Sequence, residues 1–334
     1  MHPTTSRRFS TAFTPSGAKD DAPDADVLLE ILSLHRHRLR VLVPQDAETR
    51  YLGHLVELRR GLVDQRTQFS NELTSLLKNY FPQALPLIGD KPAAPLALAF
   101  LERWPELTEL QRARPQTVRA FYYGQHVRRP EVIEQRLELI RTARPLTQDR
   151  ALCQASQLKL RALLALLRVL LAQIAELDQA LHAAFADYPE AALLAQLPGA
   201  GAAMAPRLAV LFGRDRARWT SAEEMQKYFG IAPVTQRSGQ TTYVHWRWSA
   251  PRFARQTLME WAGLTVQYSR WAKAYYLQRK ARGIGHAVIL RALAFKWLRI
   301  LWKCWQTGQP YDEARYLARL QQRNPALFAL LPAA

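Results

Sequence analysis

Cysteine is nearly absent. Cys153 and Cys304 are the only two in 334 residues and lie far apart, which excludes a disulfide framework and a thiolate metal site and fits a reducing, cytoplasmic setting. Long apolar runs are also missing. Residues 1–20 lack the apolar centre of a signal peptide. The run 160–171 is broken by Arg161 and Arg168 and is too short to span a bilayer, so no membrane partner is expected. No internal repeat or low-complexity tract is visible. Acidic residues are scarce, 28 against 46 Lys and Arg, for a net charge of +18. A field of that sign attracts polyanions and does not suit an ordinary metabolic enzyme.

What is present is unevenly placed. From Glu190 onward there are 21 Lys and Arg against 7 Asp and Glu, together with eight of the nine Trp. Arginine outnumbers lysine 37 to 9. Its planar fork suits phosphate and stacks on bases, whereas lysine acts as a point charge. A solvated basic surface is the plain reading of this bias, and a nucleic-acid surface is the functional one. The hydrophobic fraction of 49% supports a sizeable core, and the length allows two or three domains.

Apolar spacing predicts a mainly α protein. A first helix is expected over 24–39, capped by Asp24, with Val27, Leu28, Ile31 and Leu32 as its stripe. A long helix over 46–80 follows, then shorter ones over 94–104, 115–123 and 130–143. Leu160, Leu163, Leu167, Leu170, Ile174, Leu177 and Leu181 step by three and four, a heptad seam that needs a partner helix. That partner is either the 46–80 helix or a second copy of the chain, giving a homo-oligomer through a coiled coil. In the basic part, helices are expected over 202–211, 221–228, 252–280 and 286–305. Residues 242–248 alternate like a strand, giving a small β-hairpin.

Four features carry candidate chemistry. Pro198-Gly199-Ala200-Gly201 precedes a helix, where Gly199 and Gly201 would let backbone amides approach a phosphate; an ordinary tight turn reads the same way. Ser238-Gly239 is a common hairpin turn, yet Ser238 is also a candidate nucleophile. No histidine pattern accompanies it, so Arg237, Arg247, Arg252 and Arg255 would have to stabilise the phosphate. Asp21 and Asp24, three apart at a helix start, suit Mg²⁺, although capping explains them equally and phosphoryl transfer needs more carboxylates. Gly283-Ile284-Gly285-His286 is a further anion site or a plain loop. Most tryptophans are expected in the core.

Taken together these residues resemble the DEDD-type insertion-sequence transposases of the one-hundred-and-ten class and the related Piv DNA invertases. The resemblance rests on the Pro-Gly-x-Gly turn, Tyr228-Phe229-Gly230-Ile231-Ala232-Pro233, Ser238-Gly239 and the segment from Leu290 to Pro310-Tyr311-Asp312-Glu313. Residues 16–25 look like the end of that family's RuvC-like nuclease domain. The resemblance implies DNA cleavage and strand transfer, a Mg²⁺ site of four acidic residues whose last two match Asp21 and Asp24, and a serine nucleophile matching Ser238. It also implies a guide RNA, oligomeric action and a place at the nucleoid. Domains follow as 1–43, a remnant of the RuvC-like domain; 44–188, a helical coiled-coil region; and 189–334, a basic transposase domain. With only twenty residues before Asp21 and no glutamate before Glu30, the expectation is a truncated or late-started chain with an incomplete metal site and impaired activity. The alternative is a non-catalytic module that binds nucleic acid and oligomerises.

Overall fold

The computed structural model describes residues 3–13, 20–39, 41 and 43–332. Two helices come first, α1 (Pro3–Phe13) and α2 (Asp21–His35), then the long α3 (Ala47–Tyr80). Five shorter helices follow: α4 (Ala84–Ile88), α5 (Pro95–Arg103), α6 (Leu107–Arg112), α7 (Pro115–Gly124) and α8 (Pro130–Thr142). A second long helix, α9 (Arg150–Ala186), leads to α10 (Ala191–Ala195), α11 (Met204–Phe212) and α12 (Ala222–Tyr228). Strands β1 (Pro233–Ser238) and β2 (Thr241–Trp246) form an antiparallel hairpin. The chain continues through α13 (Arg252–Tyr268), α14 (Arg270–Ala281), α15 (His286–Thr307), α16 (Glu313–Arg323) and α17 (Pro325–Phe328). The mainly helical fold with one small hairpin is as expected. The described part of 1–43 is helical, and Ser16 to Lys19 of the segment likened to a nuclease domain lie outside the described residues.

The chain forms two compact units, His54–Ala184 and a second made of Met1–Gly53 with Phe185–Ala334.

In the unit His54–Ala184, α3 and α9 run antiparallel. Ion pairs Arg59–Asp178 and Lys159–Glu72 tie early α3 to late α9 and late α3 to early α9. The leucine seam meets this chain's own residues: Leu160, Leu163, Leu164 and Leu167 share one core with Leu73, Leu76 and Leu77 of α3 and with Phe100, Leu101 and Tyr122 of the shorter helices. Each fully buried leucine contributes about 1.5–3 kcal/mol relative to exposure. Of the two candidate partners, the helix in the same chain covers this part of the seam. Proline at the first position of α5, α7 and α8 starts each helix where a missing amide costs nothing.

The other unit is built on aromatic rings. Trp297 of α15 lies 5.2 Å from Trp261 of α13 and 4.8 Å from Trp271 of α14. Tyr311 packs on Trp297, and its hydroxyl accepts a 2.8 Å hydrogen bond from the Trp271 indole. Burial, and Glu313 nearby, hold that phenol well above its ordinary pKa, so it stays a neutral acceptor. The expected single helix over 252–280 is broken at Ser269. Glu313 accepts from the Ser269 hydroxyl at 2.8 Å and from the Arg270 amide at 2.9 Å, satisfying the start of α14 from a distant segment. Asp312 caps α16 through the Arg315 amide. Three side chains of the Pro-Tyr-Asp-Glu segment, Tyr311, Asp312 and Glu313, thus make structural contacts.

Helix α2 corrects one expectation. Its cap is Asp20, whose carboxylate accepts from the Asp21 amide at 2.8 Å, and Asp24 lies inside the first turn. Of the proposed stripe only Ile31 is buried, while Leu28 and Leu32 remain exposed.

Candidate nucleic-acid interface

The hairpin follows from its residues. Gly230, at φ +70°, ends α12, and Phe229 and Ile231 beside it are buried. A methyl group at Gly230 would sit 2.5 Å from the Ala250 Cβ, so glycine is what lets the chain return beneath the hairpin. At the tip, Ser238 pairs with Thr241 across a two-residue turn in which Gly239 takes φ +56°.

The register separates the predicted site residues. Side chains alternate across a strand. Ser238 therefore shares a face with Gln236, Thr241, Tyr243 and His245, while Arg237 shares the opposite face with Trp246. Ser238 is exposed at the tip. Pro233 pairs with Trp246 at the other end, five strand residues away, or roughly 16 Å. Arg247 and Arg255 belong to that base: the Arg255 guanidinium donates to the Arg247 carbonyl at 3.0 Å and lies 4.8 Å from the Trp246 ring centre. Arg252 is exposed at the first position of α13. The four arginines thus do not gather around the serine, because one lies across the strand and three sit at or near the hairpin base.

The base holds a residue the sequence reading missed. Arg291 of α15 lies 4.6 Å from the same Trp246 ring. Burial, with Arg255 close by, shifts Arg291 below its ordinary pKa. Among the described residues no carboxylate pairs with Arg255 or Arg291. Trp248 meets Trp246 edge-on at 5.9 Å and is 74% exposed, against four fully buried tryptophans in the core of this unit. A long-range pairing of a helix arginine with a strand tryptophan leaves no periodic trace in the sequence.

The glycine turn has a packing role. Gly199, at φ +73°, faces α13, where an added methyl would lie 2.9 Å from the Leu264 Cβ. The Pro198 carbonyl accepts from the Trp261 indole at 3.0 Å. The Met204 and Ala205 amides at the start of α11 already bond the turn's own carbonyls, and Pro206 has no amide to offer. Gly201 is exposed, with open space around it.

Asp21 and Asp24 are exposed on the first turn of α2. Among the described residues no three His, Cys, Asp or Glu side chains gather where they could hold a metal ion. Two carboxylates alone do not fit a Mg²⁺ phosphoryl-transfer site, which draws more ligands from separate elements. Among the described residues no helix is long and apolar enough to cross a membrane.

Comparison with known proteins gives a consistent result. Residues 1–82 match a family model described as a transposase, of the DEDD IS110 type. Residues 191–277 match a model described as a transposase of the IS116/IS110/IS902 family. A protein named as the mini-circle transposase for IS117 from Streptomyces coelicolor is 30% identical over 329 residues, covering 96% of this chain and 79% of that protein. The 43.6 kDa protein of insertion element IS110 from the same organism is 25% identical over 313 residues, covering 92% of this chain and 75% of that protein.

Proposed function

The chain belongs to the IS110 family of transposases, and from that membership we propose that it acts on DNA in the transposition of an insertion element, inside the cell at the nucleoid. The observation that carries the reading is the hairpin: it presents the Ser238 hydroxyl, exposed and free of any hydrogen bond within the described residues, from a unit rich in unmatched arginine. In the proposed step the serine Oγ attacks a DNA phosphorus. The Oγ–P bond forms as the P–O bond to the departing sugar oxygen breaks. The hydroxyl proton leaves to water, the departing oxygen takes one up, and the count of phosphodiester links is conserved. The basic side chain next to Ser238, Arg237, lies on the opposite face of the hairpin. His245, on the serine's face, is roughly 13 Å along the hairpin.

Guidance by an RNA of the element is part of the proposal, supported by an excess of positive charge from Glu190 onward that suits a second polyanion. Assembly into an oligomer is also part of it. The buried seam leaves Leu158, Leu166 and Val169 along an exposed face of α9 as the apolar surface for that contact. Family membership implies a divalent metal.

A second reading, a non-catalytic module that binds nucleic acid and oligomerises, is favoured by the distance between Ser238 and the arginines at the hairpin base. Ser238→Ala separates the two. With element-end DNA and the element's RNA, the substitution abolishes strand transfer and leaves DNA affinity unchanged if the serine reacts. Strand transfer at the parental rate from Ser238→Ala would show that the serine is not the nucleophile, and a parental chain that binds DNA but transfers no strand would leave only the binding role.

A further inference from the structure

The base of the hairpin carries a feature that the serine chemistry does not use. Two guanidiniums, Arg255 and Arg291, lie within 5 Å of one indole, that of Trp246. Proteins ordinarily place a carboxylate beside such a pair. Here the nearby acid on α13, Glu260, is bonded to Arg207 at 2.7 Å and to Gln256 at 2.8 Å. Among the described residues no carboxylate pairs with either guanidinium, and the two like charges share a half-buried site. Beside them stands Trp248, whose large apolar ring is 74% exposed. Arg247 and Arg252, both exposed, flank it in sequence.

We infer that Trp248, with Arg255 and Arg291 against Trp246, forms a binding site for an unpaired nucleotide: the exposed indole stacks on the base and the two guanidiniums take the adjoining phosphate. The exposed indole favours a single strand over a duplex. A free indole face needs a free base face, and bases in a duplex already stack on one another. Stacking on one aromatic side chain supports single-strand binding with little regard to sequence. The uncompensated guanidiniums supply the anion side of the same contact. This inference rests on reading the unit as nucleic-acid-binding and is independent of whether Ser238 reacts.

The test measures the affinity of the full chain for three labelled probes: oligothymidylate, oligouridylate and a mixed-sequence duplex. Trp248→Ala is expected to weaken binding of at least one single strand by about tenfold, leaving the duplex and the thermal stability unchanged. Trp248→Phe retains most of the affinity. Loss on oligouridylate alone assigns the nucleotide to RNA, and loss on oligothymidylate alone assigns it to DNA. Unchanged single-strand affinity in Trp248→Ala, or an equal loss on the duplex, overturns the inference. Ser238→Ala run in parallel keeps the two proposals apart. If it loses strand transfer while Trp248→Ala binds normally, the stacking site is wrong and the transposase reading stands. If the parental chain transfers no strand yet Trp248→Ala loses single-strand affinity, the reverse holds.

Discussion

In the unit His54–Ala184 several arginines meet carboxylates, while Arg103 and Arg136 lie over the Trp104 and Tyr122 rings. Arg119 makes two bonds to Glu134 at 2.8 and 2.9 Å, Arg141 pairs with Glu138, Arg168 with Glu102 and Arg59 with Asp178. Hydrogen bonds from these arginines hold the Glu102, Glu134 and Glu138 carboxyls below their usual range. At the hairpin of the other unit, Arg237, Arg252, Arg255 and Arg291 have no such partners among the described residues, and two of them lie against an indole. The same residue type does two jobs. Where a carboxylate answers it, the charge is local and screened. Where an aromatic ring answers it, the charge remains to attract a phosphate. The count of basic residues thus becomes informative only after those paired within the protein have been removed from it.

The largest break in that comparison is Trp297→Ala. It empties the ring cluster that holds α13, α14 and α15 together and is expected to cost about 3–5 kcal/mol. Chemical denaturation reads the loss. Hydrogen exchange should show it in residues 185–332, with the amides of α5 and α7 keeping their protection.

The next prediction sharpens it. Replacing Arg255 and Arg291 together by Gln lowers the slope of log affinity against log salt by about one, since the one phosphate they share is no longer neutralised. The matched pair Arg119→Gln with Arg168→Gln leaves the slope where it was. Equal slopes for both doubles would show that carboxylate pairing does not sort these arginines.

The smallest effect tests an acid-paired arginine in the hairpin's own unit. Burial raises the pKa of Asp46. Bonds from the Thr49 amide and hydroxyl, and the Arg214 guanidinium, outweigh it, leaving a folded pKa below the ordinary one. A depressed carboxyl stabilises the fold above its unfolded pKa, and that contribution disappears as pH falls through the folded value. The stability gap between the parent and Asp46→Asn should therefore be constant near neutrality and narrow as pH falls below about 4. A gap that widens on acidification would reverse the sign.

Much of the scaffold was legible because it is periodic. The three-and-four leucine steps of α9 and the prolines that open α5, α7 and α8 state themselves locally. The break at Ser269 was not, because its cause is Glu313, 44 residues away. The short helices α4 and α6 were missed as well, being too brief for a period to show. Ser238 was legible as a turn residue. Its separation from Arg247 and Arg255 was not, since proximity in sequence becomes distance once a strand is extended. Arg291 left no signal at all, because only the packing of α15 on the hairpin makes it a neighbour of Trp246.

The hairpin is anchored at one end and projects a hydroxyl at the other, so it works as a lever. With an arm of roughly 16 Å, a tilt of about 10° at the Trp246 fulcrum sweeps the tip by about 3 Å, and a misplacement of about 1 Å already costs a reaction on the order of a hundredfold. On the proposed reading, a nucleotide held at the hairpin base would also set the position of the Ser238 hydroxyl.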